Sequence, residues 1–219
     1  VRWLVWAALG YGALYAVIWL HEVGHSVLDC AFGCKDRWFQ VEVKPYLFYS
    51  TPGPVDAERY WALTPGQRTA AAYGGVAANL LWALAGGGLL RLAGLGEGYP
   101  ALFLWLFATL HLGEAVSYLF IGNLYPVSDM AIVAEECPRL RVPTLVLGAA
   151  LAAAYVLALW SVPEAFRGFV AVWNLCAVPA WGGGRTAFPG RRMSAHKTGG
   201  AAQRCFARPP RFRIGAQVK

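Results

Sequence analysis

Apolar positions along this chain come in long uncharged blocks, and polar positions are gathered into the short stretches between them. Residues 3–20 carry no charge over 18 positions, 69–90 none over 22, and 144–162 none over 19. Residues 101–121 form another apolar block, interrupted by His111 and Glu114, and 168–184 a weaker one holding Asn174 and Pro179. A helix rises ~1.5 Å per residue, so the strong blocks are long enough to cross most or all of a ~30 Å hydrocarbon layer. The pattern predicts an all-α polytopic membrane protein with about five transmembrane helices. The first block is too long for a cleaved signal peptide. Between the first two blocks, residues 38–50 are β-prone, and Val41, Glu42, Val43 and Lys44 alternate with period two. That stretch is too short to span. It predicts a short β-hairpin or re-entrant loop, either an edge to which an extended peptide can add as a strand or an interfacial loop anchored by its aromatics.

Composition agrees with the membrane class. The chain is 58% hydrophobic and 14% charged, whereas soluble domains carry about 25% charged residues. The net charge of +7 is a property of the tail: residues 185–219 hold nine Lys or Arg and no acid, while 1–184 hold ten basic and twelve acidic groups. The tail is rich in Gly, Pro and Ala without an apolar period and reads as disordered. Anionic lipids are its expected contact, at ~1 kcal/mol per basic side chain near the surface. It has no nucleic-acid motif, and no nucleic-acid partner is expected. The chain divides into 1–135, three core helices; 136–184, two further helices; and the tail, 185–219.

Charge also orients the chain. Lys35, Arg37, Lys44, Arg59 and Arg68 fall between the first two blocks, and Arg139 and Arg141 between the third and fourth. With five spans the positive-inside rule puts both connections in the cytoplasm of a multi-pass cell-membrane protein. Cys30, Cys34, Cys137, Cys176 and Cys205 are odd in number and mostly on that side, so no disulfide framework is expected.

The first block runs directly into His21-Glu22-Val23-Gly24-His25, an H-E-x-x-H pattern. On a helix, His21 and His25 lie one turn apart on one face, where two imidazoles can share one Zn2+. Glu22 stands one residue along, placed as a general base for water and not as a ligand. His and Glu are costly within a membrane and mark function there. A catalytic zinc needs a third protein ligand. Asp129 is the best candidate, in Asn123-Leu124-Tyr125-Pro126-Val127-Ser128-Asp129 directly after the third block, whose end meets the end of the first. Asn123 and Pro126 break the helix there, as tolerated beside a buried or wet cavity. Glu135 and Glu136, further on, read as solvated. Within the third block, His111 and Glu114 share a helix face, as a second polar site or as a mutually bonded pair that pins packing. Asp29, one turn past His25, reads as a hydrogen-bond partner of the site or as a solvent contact at the helix end.

These stretches resemble the site-2 protease family of intramembrane zinc metalloproteases. The His21–His25 motif matches the family's first motif. Gly74-Gly75-Val76-Ala77-Ala78-Asn79 resembles the small-residue and Asn stretch of its next core helix, with Val76 where Pro is usual. Asn123-x-x-Pro126 with Asp129 resembles its Asn-x-x-Pro motif, here with a shorter Pro-to-Asp spacing and Met130 in place of Gly. The resemblance covers roughly residues 1–135. It implies a three-helix core, zinc on His21, His25 and Asp129, Glu22 as base, and hydrolysis of peptide bonds in a membrane-spanning protein substrate. Asn123 would donate to the developing oxyanion or hold substrate backbone. The alternative is a non-proteolytic metal-binding regulator or assembly factor on the same scaffold.

Overall fold

A computed structural model of the chain describes residues 1–47 and 50–187, with side chains to residue 177. The uncharged first block forms helix α1 (Arg2–Ala31) and carries the H-E-x-x-H pattern in its last third. A two-stranded antiparallel hairpin follows, β1 (Glu42–Val43) with β2 (Ser50–Thr51), pairing Glu42 with Thr51 and Val43 with Ser50. Short α2 (Ala57–Ala62) starts where the Asp56 carboxylate accepts from the Arg59 backbone N–H at 3.1 Å. Helix α3 (Pro65–Leu92) opens on a capping box: Gln67 N–H donates to Thr64 Oγ1, Thr64 N–H donates to Gln67 Oε1, and Pro65 occupies the first turn. Those residues satisfy helix-end donors that would otherwise lack partners.

Helix α4 (Tyr99–Val116) passes into a π-helical turn at Ser117–Ile121 and the short α5 (Gly122–Leu124). Then come α6 (Asp129–Glu136), α7 (Arg141–Trp160) and α8 (Glu164–Ala187). Among the described residues four helices are long and apolar enough to cross a membrane: Arg2–Ala31, Pro65–Leu92, Tyr99–Leu124 and Pro138–Trp160. Helix α8, which covers the expected fifth span, is not among them. It is nonetheless packed into the bundle. Phe166 meets Trp6, and the Trp173 ring fills the space beside Gly10. Asn174 donates to Thr109 Oγ1 and accepts from the Tyr155 hydroxyl, tying α8 to α4 and α7.

Helix α4 and the turn that follows it form the centre of the bundle and are mostly buried, whereas α7 is mostly exposed. Helices α1 and α3 pack on it and on each other. The α1–α3 crossing is made by glycine: a Cβ on Gly24 would run into the Gly74 carbonyl, and one on Gly74 would sit 2.6 Å from the Gly24 carbonyl oxygen. Small residues at a helix crossing let two backbones approach closely. Gly148 of α7 does the same against the π turn, where its Cβ would lie 2.6 Å from the Leu119 carbonyl carbon. One apolar cluster fills the end where α1 begins, around Trp6, Leu102, Leu106, Val162 and Phe166. A second, around Val76, Ala115, Leu119, Met130 and Val133, fills the other end between α3, α4 and α6. Cys30, Cys34, Cys137 and Cys176 are free thiols; Cys205 and the stretch 188–219 lie outside the described residues.

Candidate metal centre

At the second end of the bundle, α1 and α6 bring three donor side chains together against α3. His21 Nε2 and His25 Nε2 are 3.1 Å apart. Asp129 Oδ2 lies 3.3 Å from His25 Nε2 and 3.7 Å from His21 Nε2. Zinc bonds of about 2.0–2.2 Å to three corners of a tetrahedron put the donors about 3.3–3.6 Å apart. The three separations straddle that range, so the group can hold one metal ion. The helical i, i+4 spacing delivers the two imidazoles, as expected. The third donor arrives by another route. Ser128 has a positive φ of 51°, a conformation a side-chain-bearing residue rarely adopts, and it turns the chain so that α6 begins on Asp129.

Helix α6 is held in place at both ends. Met130 and Val133 pack into the second cluster, and Glu136 accepts from Arg68 Nε at 2.8 Å and Nη2 at 2.9 Å. Glu136 is therefore not the solvated acid that its setting in the sequence suggests; Glu135 is exposed. Burial opposes the Asp129 carboxylate, but the two imidazoles beside it outweigh burial and hold its carboxyl well below the usual range.

Helix α3 supplies the wall behind the histidines. A Cβ at Gly75 would stand 2.5 Å from His25 Nε2 and 2.6 Å from His21 Nε2, in the space where those nitrogens converge. The Ala71 carbonyl accepts from His25 Nδ1 at 2.7 Å, which fixes the hydrogen on Nδ1 and leaves Nε2 bare for a metal. Tyr118, brought round by the π turn, stacks on His21 at 4.7 Å between ring centroids. Asn79 reaches His21 Nδ1 at 3.0 Å.

Glu22 is buried beside the cluster without belonging to it. The Ser50 hydroxyl donates to Glu22 Oε1 at 2.6 Å, so strand β2 rests on this carboxylate. The hairpin is fastened twice more. The Tyr11 hydroxyl donates to the Pro45 carbonyl at 2.7 Å, and Lys35 Nζ donates to the carbonyls of Gln40 and Pro52. Burial lowers the Lys35 pKa from its ordinary value.

Other expectations meet a different geometry. The Asn123 carboxamide donates to the Arg141 carbonyl at 2.7 Å, and Arg141 Nη2 donates back to the Asn123 carbonyl at 3.0 Å, so this amide joins α5 to the start of α7. Asp29 is 3% exposed and is not a solvent contact. His111 bonds Asn79 on α3 at 2.9 Å and not Glu114. Sequence reasoning passed over Tyr118, and noted Ser50 within the β-prone stretch and Gly75 and Asn79 within the small-residue stretch without giving any of them a role. Only Asn79 left a local signal: it is the one carboxamide in 22 uncharged residues.

No family model matches the chain, and no match was found among curated proteins or solved structures.

Proposed function

We propose that the protein is a zinc metalloendopeptidase that hydrolyses peptide bonds of membrane-spanning protein substrates, as its resemblance to the site-2 proteases implies. The observation that carries the reading is the pairing of two different functions within one helical turn. Three donors, His21, His25 and Asp129, have near-tetrahedral separations. A fourth ionisable side chain, Glu22, is buried beside them and outside the donor group. A binding site alone needs the donors; hydrolysis needs the extra carboxylate.

The chemistry that zinc supplies in such a site is Lewis-acid polarisation of the scissile carbonyl and of the attacking water. Glu22 takes the proton from that water and later passes it to the leaving amine. Ser50 holds one oxygen of this carboxylate, which limits its rotation and aims it before substrate arrives. The hairpin that carries Ser50 lies beside the cluster, where an extended substrate segment would have to run, and its edge offers backbone groups for strand addition. The Asp129 side chain is 19% exposed, so water reaches the site from the end of the bundle. With α8 counted as a fifth span, the positive-inside rule supports a cytoplasmic placement of that end in a multi-pass membrane protein. Asn123 belongs to the scaffold in this reading, because its amide is engaged with Arg141.

The test uses purified full-length protein in detergent or proteoliposomes with a membrane-spanning substrate. Glu22→Gln is expected to keep stoichiometric zinc and to lose activity by about 10²–10⁴-fold. Asp129→Ala is expected to lose zinc and activity together. A Glu22→Gln protein that cleaves at the wild-type rate would overturn the assignment.

A further inference from the structure

His21, Asn79 and His111 form one buried hydrogen-bonded line across three helices. His111 Nδ1 is 2.9 Å from Asn79 Oδ1, and Asn79 Nδ2 is 3.0 Å from His21 Nδ1. Asn79 and His111 are 0% exposed and His21 is 3% exposed, so the whole line is buried. In this orientation the amide N–H donates to His21 Nδ1. The hydrogen of a neutral His21 then sits on Nε2, on the side of His25 Nε2 at 3.1 Å and Asp129 Oδ2 at 3.7 Å. The pattern is self-consistent, and it cannot hold a metal on His21, because the ligating lone pair carries a hydrogen.

A metal ligated through His21 Nε2 requires the hydrogen on Nδ1. That N–H would face the Asn79 amide N–H, donor against donor. Turning the carboxamide by half a revolution removes the conflict. Oδ1 then accepts from His21 Nδ1–H, and Nδ2 donates to His111 Nδ1. The two ends of a carboxamide have nearly the same shape, so the turn needs no repacking of the cluster. His111 must then carry its hydrogen on Nε2. It has the freedom to do so, because its Nε2 has no hydrogen-bond partner among the described residues. His25 lacks that freedom, since the Ala71 carbonyl fixes its Nδ1–H.

We infer that Asn79 is the positioning residue that sets the tautomer of His21, and that its carboxamide reverses when the metal binds and moves the hydrogen of His111 from Nδ1 to Nε2. The inference rests on the metal centre of the proposed function and adds two residues to it, one of them a helix away from any ligand. Outer partners that orient metal-bound histidines typically change affinity by about 10–100-fold when removed.

The experiment titrates zinc into full-length protein in detergent micelles, with 15N-labelled histidine rings. The chain has four histidines, so the ring signals can be assigned by single substitutions. On zinc addition the protonated nitrogen of His111 is expected to change from Nδ1 to Nε2, while His25 keeps its hydrogen on Nδ1. Asn79→Leu, close in size but without polar atoms, is expected to weaken zinc about 10–100-fold. Asn79→Asp offers only acceptors to His21 and is expected to stay within a few-fold of wild type. A merely structural role for Asn79 would not separate the two variants in this direction. The inference is overturned if Asn79→Leu binds zinc as wild type does, if Asn79→Asp is as weak as Asn79→Leu, or if the His111 signals do not move. If wild-type protein takes up no zinc at all, the metal centre itself falls, an outcome distinct from these three.

Discussion

At the scale of single residues, the centre depends as much on an absent atom as on those present. Gly75 lies in the wall of α3 where the two imidazole nitrogens converge, and any Cβ there would occupy the space beside them. Alanine is the better helix former by ~1 kcal/mol. Gly75→Ala is therefore expected to leave the helix content intact and to abolish stoichiometric zinc. Circular dichroism beside metal analysis checks this; full zinc occupancy in the variant would show that the rings have room to withdraw. The candidate donor pair His21 and His25, and Glu22 between them, were legible in the sequence because one helical turn fixes their geometry locally. Gly75 was not. Its role depends on which residue of α3 crosses α1, and nothing in a uniformly apolar helix marks the face it turns to a neighbour.

At the scale of elements, two devices place Asp129 and the π turn. The first is the forked pair of Glu136 with Arg68, which joins the end of α6 to the start of α3. Both side chains are mostly buried, 13% and 16% exposed, and charge-assisted bonds of this kind contribute about 1.5–3 kcal/mol. Glu136→Ala is expected to weaken zinc binding several-fold through a loosened α6, whereas Glu135→Ala changes nothing measurable. Calorimetric titration of the two variants side by side decides it, and equal affinities would remove the ion pair from the positioning of Asp129. The second device is Gly148, which lets α7 lie against the widened turn at Ser117–Ile121. Gly148→Ala is expected to cost about 1–3 kcal/mol by overpacking, read as a lowered thermal midpoint in detergent. An unchanged midpoint would mean that α7 shifts freely. Element existence was largely readable from the apolar blocks. The exceptions are instructive. The fifth block forms a longer helix than its apolar letters mark, because Phe166, Val170 and Asn174 recur at a spacing of four along one buried face. The hairpin was foreseen as β-prone, but its contact with Glu22 spans 28 residues of sequence and leaves no local trace.

At the scale of the whole molecule, the meeting of α1, α3 and α6 requires three chain ends on one side. Reporter fusions after Arg68 and after Arg141 are expected to report the same compartment, and a fusion after Arg91 the opposite one. Opposite readings at Arg68 and Arg141 would separate the histidines from Asp129. That meeting was the part of the tertiary structure most legible beforehand. Counting crossings puts the end of the first block and the end of the third at one depth, and the helix break at Asn123 and Pro126 frees a carboxylate there. The partner of His111 was out of reach for the converse reason. It faces a helix running the other way, and the register between α3 and α4 is set by how their surfaces pack, Gly86 against Phe107 and Ala108, and not by any spacing within either sequence.

The two imidazoles of the centre are oriented by different kinds of atom, and this bears on how the protein can change over generations. His25 is aimed by the backbone carbonyl of residue 71. Any amino acid at that position supplies the same oxygen, so this half of the centre is immune to point mutation there as long as α1 and α3 keep their crossing. His21 is aimed by a side chain, and a single codon change at position 79 alters it. Selection or a protein engineer thus has a fixed support and an adjustable one. Variation in metal preference, or drift toward a scaffold that has lost its metal, should accumulate on the Asn79 side first.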